Sequence, residues 1–174
     1  MGLQLVFVVE TNKKCKSDWI YIKETIDRFF NVNPAQIKFS TIYLDGKGKY
    51  VAKEKEIASL EAQYRSTSKE NKSQVILCLD CDDYDVKPED REFLNTAKQY
   101  CVDNNMELIW FCKDIERVYI GKKVPDSEKK EEAAKFKSKG MINQVDVQKL
   151  SLDTYTRNSS NIIKVLEKYL EKKM

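Results

Sequence analysis

The run Gln74-Val75-Ile76-Leu77-Cys78-Leu79-Asp80-Cys81-Asp82-Asp83 decides the fold. From Val75 to Leu79 it is apolar on both alternations, so both faces of the strand have to be covered. That is the signature of a central strand in a parallel sheet, where crossover helices pack above and below. The strand then runs straight into acids.

Working upstream, Leu3-Gln4-Leu5-Val6-Phe7-Val8-Val9 is a second apolar run, and it closes on Glu10. Ser17 follows, and then Trp19, Ile22, Ile26 and Phe29 at helical spacing, so the first unit reads as strand, loop, amphipathic helix. Gln36 to Leu44 alternates as a strand and stops at the turn Asp45-Gly46-Lys47-Gly48-Lys49. Ile57, Leu60 and Tyr64 mark a charged amphipathic helix between Tyr50 and Ser68.

Downstream, Pro88 suits the first turn of a third helix, where its missing amide hydrogen costs nothing. Phe93, Ala97, Tyr100 and Cys101 form the inner face of that helix. Glu107 to Cys112 is the fourth strand, with Leu108, Ile109, Trp110 and Phe111 in succession. Four strand and helix units of this length predict an α/β fold, a four-stranded, mostly parallel sheet flanked by helices. A chain of 174 residues, 41% hydrophobic, fits one domain over residues 1–174.

Past Gly121 the pattern changes. Residues 122–158 read as a charged excursion, because Lys122 to Lys139 is nearly all Lys, Glu, Asp, Ser and Ala, with Val124 and Phe136 as its large apolar residues. It is expected to be an exposed helix or a mobile segment. Residues 159–174 read as a closing helix, capped by Ser159-Ser160 and docked through Ile162, Ile163, Leu166 and Leu170.

Composition excludes much chemistry. There is no histidine, hence no Ser-His-Asp triad, no Cys-His pair and no His-ligated zinc. Carboxylate, lysine, tyrosine and metal-ion chemistry remain. Five cysteines are an odd number, and three of them sit inside apolar strand or helix patterns, which fits reduced thiols in a cytoplasmic protein. Cys78 and Cys81 have C-x-x-C spacing, but at an extended strand end such side chains do not converge on zinc or on each other. The first apolar run lacks a basic leader and a cleavage site, and no stretch approaches the roughly 18–20 apolar residues of a membrane span. The expected protein is soluble and makes no membrane contact. Net charge is +3, and lysines gather at Lys13, Lys14 and Lys16, at Lys47 and Lys49, and in the last segment, compatible with a polyanionic partner.

In open parallel sheets the loops leaving the carboxyl ends of the strands meet on one edge, and ligands bind there. Glu10, Asp80 and Asp82 are all expected on that edge, with Asp83 and Asp85 just behind. Asp80 and Asp82 are two apart, so in extended backbone they share a face and their oxygens can approach one cation. Crowded acids of this kind are either protonated or neutralised by a metal. Oxygen ligands without a histidine or thiolate partner select Mg²⁺, or Mn²⁺, over zinc. A DxD of this kind also occurs in turns before helices, where the acids cap and complement the helix dipole. Lys113, after the fourth strand, is a candidate for contact with a phosphate or with transition-state charge, or else a solvated lysine balancing nearby acids. Lys47 and Lys49 are candidates for contact with a nucleic-acid backbone, because Gly46 and Gly48 allow close approach. The turn is not a P-loop, lacking G-x-x-x-x-G-K-[ST].

An apolar strand ending in Glu10, a later central strand ending in Leu79-Asp80-Cys81-Asp82-Asp83, and the late Ile109-Trp110-Phe111-Cys112-Lys113-Asp114-Ile115-Glu116-Arg117-Val118-Tyr119 together resemble the Toprim family. The closest likeness is to the RloB-type and overcoming-lysogenization-defect-type (OLD) Toprim proteins of bacterial phage defence. It covers roughly residues 3–121. The resemblance implies that Asp80 and Asp82 bind Mg²⁺, and that Glu10 completes the metal site or acts as general acid and base on a phosphodiester oxygen. It also makes Glu116 a candidate for a second metal, against its reading as an ordinary first-turn helix glutamate. The implied function is a magnesium-dependent nuclease or related phosphodiester-transfer enzyme on DNA or RNA, with a defence-system protein as a further partner. Two other readings stay open: a Toprim-like module that binds nucleic acid or protein without cutting, and a receiver-like phosphoacceptor domain centred on Asp80.

Overall fold

A computed structural model describes residues 1–174. The strands are β1 (Leu3–Val9), β2 (Phe30–Asn31), β3 (Ile37–Tyr43), β4 (Lys72–Asp80), β5 (Glu107–Cys112), β6 (Ser159–Ser160) and β7 (Glu171–Lys172). The helices are α1 (Ser17–Phe29), α2 (Glu54–Thr67), α3 (Pro88–Asp103), α4 (Ile115–Ile120), α5 (Lys129–Ser138) and α6 (Ile162–Leu166). The main sheet runs β3-β1-β4-β5-β6. Its first four strands are parallel, with Val6 opposite Ser40 and Val75 and with Cys78 opposite Ile109. The short β6 closes the edge antiparallel to β5.

Alternation along the central strands sorts the core into two layers. Leu5, Phe7, Val9, Ile76, Cys78, Ile109 and Phe111 face α1, α4, α5 and α6. Val6, Val8, Val75, Leu77 and Leu79 face the other way, onto Ile57 of α2 and onto Ala97 and Cys101 of α3. Period-two side chains buried on both faces are what two layers of helices require. In β1, Gln4 is fully buried and spans three strands: its amide nitrogen donates to Ser40 Oγ at 2.8 Å, and its carbonyl accepts from Ser73 Oγ at 2.8 Å.

The mostly parallel α/β sheet agrees with the sequence, with the short antiparallel β6 added to the four expected strands. Two segments differ. Residues 122–158 are not a detached excursion: Phe136 and Ala133 of α5 are fully buried, and Val124, Ile142 and Leu150 are buried with them. Phe136 meets the rings of Tyr21 at 5.0 Å and Tyr119 at 5.7 Å, so one aromatic side chain anchors a helix whose other faces are charged. The closing segment is not one helix. Ser159 and Ser160 form β6, the helix covers Ile162–Leu166 alone, and Glu171–Lys172 pairs antiparallel with Phe30–Asn31 as β7. Ile162, Ile163, Leu166 and Leu170 are still buried, so the apolar stripe docks while the chain that carries it turns. No helix is long and apolar enough to cross a membrane.

Candidate functional site

The carboxyl ends of β1, β4 and β5 bring their acids to one edge. Glu10 follows β1 and lies across the seam to β4, where its Oε1 accepts a 2.6 Å hydrogen bond from the Asp80 amide. Burial, with Asp18 beside it, pushes the Glu10 carboxyl up to about 8. Asp80 ends β4, and its Oδ1 accepts from the Ile115 amide at 2.9 Å, fastening the start of α4 to the strand. Burial, and then the charges of Glu10, Asp18 and Glu116, hold the Asp80 carboxyl well above its usual range. Asp114 caps α4 from the Arg117 amide at 2.9 Å and also pairs with the Arg117 guanidinium at 3.0 Å.

Glu116, one residue into α4, is 1% exposed, and its Oε1 has no hydrogen-bond donor. Burial pushes its carboxyl up to about 7, and the Lys129 ammonium at 3.8 Å opposes that shift. Lys129 opens α5, pairs with Asp126 at 3.3 Å, and is held protonated by Glu116, Asp80 and Asp18. Asp18, in the first turn of α1, is buried and accepts from the Thr11 amide at 3.2 Å. Glu10, Asp18 and Glu116, from three chain segments, thus lie within electrostatic reach of Asp80, with Lys129 opposite Glu116, Asp80 and Asp18 and with Lys47 opposite Glu10.

The other expected residues go elsewhere. Asp82 does not share a face with Asp80, because the strand ends and Asp82 takes a left-handed backbone with φ 50°. Its carboxylate pairs with the Lys47 ammonium. Lys47 also lies 3.6 Å from Asp90 and 4.7 Å above the Phe93 ring, so this lysine turns inward onto protein acids. Lys49 is exposed in the same turn. Lys113 follows a cis peptide after Cys112 and pairs at 3.2 Å with both Asp83 and Asp85, which keep it protonated. Cys78 and Cys81 part company: Cys78 joins the larger core, and Cys81 meets Cys112.

Asp18 and Lys129 were not singled out by the sequence. Asp18 had a signal, an acid in the first turn after the first strand, but it reads equally as a helix-dipole complement. Lys129 lies in a run of lysines and glutamates with nothing to distinguish it.

No group of three or more Asp, Glu or Cys side chains is arranged to hold a metal ion. The donor chemistry nevertheless suits a hard cation. Glu10 and Asp80 each have one oxygen outside the protein hydrogen bonds, Glu116 Oε1 accepts no hydrogen bond, and every donor to a cation would be a carboxylate oxygen.

The sheet order and the helices on both of its faces define a Rossmann-like α/β fold. No protein-family model, no curated protein and no solved structure matches this chain.

Proposed function

We propose that this protein is a Mg²⁺-dependent phosphodiester-transfer enzyme, a nuclease on DNA or RNA, built at the carboxyl edge of its sheet. The observation that carries this reading is the crowding of Glu10, Asp18, Asp80 and Glu116, with Glu10 and Glu116 pushed up to about 8 and about 7. Acids so placed gain from a divalent cation, and in an open parallel sheet this edge is where ligands bind. The likeness of the Glu10, Asp80-Cys81-Asp82 and Glu116 segments to Toprim nucleases of phage defence supports the same assignment, and with it a bacterial cytoplasm and a defence-system partner.

Asp80 would hold the ion together with Glu10 or with Glu116, water completing its coordination, and Mn²⁺ would be able to replace Mg²⁺. When bound, the ion supplies charge stabilisation to a phosphodiester and a more acidic water. Where the ion sits on Asp80 and Glu116 instead of on Glu10, Glu10 keeps its proton near neutral pH and is placed to give it to the leaving oxygen from Oε2, because Oε1 is committed to the Asp80 amide. Lys129 pairs with Glu116, and its charge also offsets part of that of Asp80. The exposed Lys49, with Lys13 and Lys14 on the neighbouring loop, offers cations to a phosphate backbone.

The second reading, a module that binds without cutting, is favoured by the pairing of Asp82 with Lys47 and of Lys113 with Asp83 and Asp85, which leaves those groups balanced by each other. One experiment separates the two. Structured RNA, tRNA, and single- and double-stranded DNA are incubated with the protein in Mg²⁺, Mn²⁺ or EDTA, beside Asp80→Asn and Glu10→Gln. Metal-dependent cleavage that falls at least 100-fold in both variants supports the enzyme. Nucleic-acid binding that is equal in wild type and variants, with no cleavage in any metal, supports the module.

A further inference from the structure

Cys81 and Cys112 lie one step beyond Asp80 and Phe111, which pair across β4 and β5. The ladder continues through them, with the Cys81 amide donating to the Phe111 carbonyl at 2.8 Å. Neighbouring strands run about 4.8 Å apart, inside the roughly 4.4–6.8 Å Cα separation that a disulfide spans. The two side chains turn to the same side, and their sulfurs are 2.6 Å apart. Both residues are buried, under Leu94, Trp110, Tyr84 and Tyr155. The Tyr84 hydroxyl donates to the Tyr155 carbonyl at 3.0 Å and closes this cover. Cys15, Cys78 and Cys101 lie in other places, so no third thiol competes for the pair.

We propose that Cys81 and Cys112 are an oxidisable dithiol, a modification site that takes a peroxide and closes to an intramolecular disulfide. In the first step one sulfur bonds to a peroxide oxygen, the O–O bond breaks, and a sulfenic acid and one water form. In the second step the other sulfur displaces the hydroxyl, the S–O bond breaks, the S–S bond forms, and the thiol proton leaves with the hydroxyl as a second water. Two thiols are oxidised and one hydrogen peroxide is reduced to two waters. The reaction proceeds when the tyrosine cover opens, so it is slower than oxidation of the half-buried Cys15. Once formed, the bond ties the residue between Asp80 and Asp82 to the residue before Lys113.

The test uses the whole protein, reduced and then treated with hydrogen peroxide, quenched, and unfolded for thiol titration and peptide mapping. The expected result in wild type is a fall from five free thiols to two, Cys15 going first, with a Cys81–Cys112 cross-linked peptide lighter by two hydrogens and reversed by dithiothreitol. Titration in a Cys15→Ser background is expected to lose the Cys81 and Cys112 thiols alone. The proposal is overturned by survival of the Cys81 and Cys112 thiols, by sulfinic acid at Cys81 or Cys112, or by cross-links between molecules through either of them. A Cys112→Ala variant should yield no intramolecular cross-link; if it does not fold, the wild-type peptide map decides alone.

Discussion

Glu116 is a carboxyl without a donor at Oε1, shut between α4 and α5. Its ordinary value is 4.5, and the folded protein raises it to about 7. The folded state therefore holds this proton more tightly than the unfolded chain does. The stability linked to protonated Glu116 is complete below about pH 4.5 and is lost as pH rises through about 7, a change on the order of 3 kcal/mol. In urea unfolding with EDTA, Glu116→Gln should gain about that much on wild type between pH 4.5 and pH 8. A gap that stays constant with pH would overturn this account. Lys129 opposes the shift, so Lys129→Gln should move the midpoint of the wild-type pH dependence upward. The strand-end acids could be read from the sequence because an apolar run stops at them. Asp18 and Lys129 could not, because they reach the site by helix packing. Asp82 was misplaced for a local reason: its left-handed backbone ends the two-residue alternation that a DxD reading assumes.

At the level of elements, α5 is held by very few apolar atoms. Phe136→Ala should cost about 3–5 kcal/mol in denaturant unfolding, because it empties a fully buried site between Tyr21 and Tyr119. It should also remove the effect of Lys129 on Glu116, which repeating the pH series in that background would reveal. β5 depends on a side chain instead of a full partner strand: Asn161 Oδ1 accepts from the Trp110 amide at 3.0 Å, and its Nδ2 donates to the Leu108 carbonyl at 2.9 Å. Asn161→Leu leaves two backbone groups unpaired and should lower stability by about 2–4 kcal/mol, checked by thermal unfolding at fixed pH. The central strands were plain in the sequence because both alternations are apolar. The end of the chain was not, since Ile162 to Leu170 keeps helical spacing while its backbone leaves the helix after Leu166. Burial of a stripe does not by itself dictate the backbone beneath it.

Over the whole molecule, stability should be graded outward from the seam between β1 and β4, where Leu5 to Val9 and Ile76 to Leu79 are almost fully buried. Amides of these two strands are expected to exchange with solvent slowest, near the rate set by global unfolding, and those of β7 and of residues 122–128 faster by orders of magnitude. Hydrogen exchange read by mass spectrometry checks the order; a protected β7 beside an unprotected β4 would contradict it. Gln4 gives this seam a property that its hydrocarbon lacks. Sliding β3 or β4 by two residues along β1 returns every side chain to its original face, so burial alone penalises such a misalignment weakly. The buried amide would then lose Ser40 or Ser73, at about 1–3 kcal/mol for each polar group left dry. One glutamine thus acts as a proofreader of strand alignment, and the meeting of Glu10 with the Asp80 amide six residues further along β1 depends on the alignment it selects.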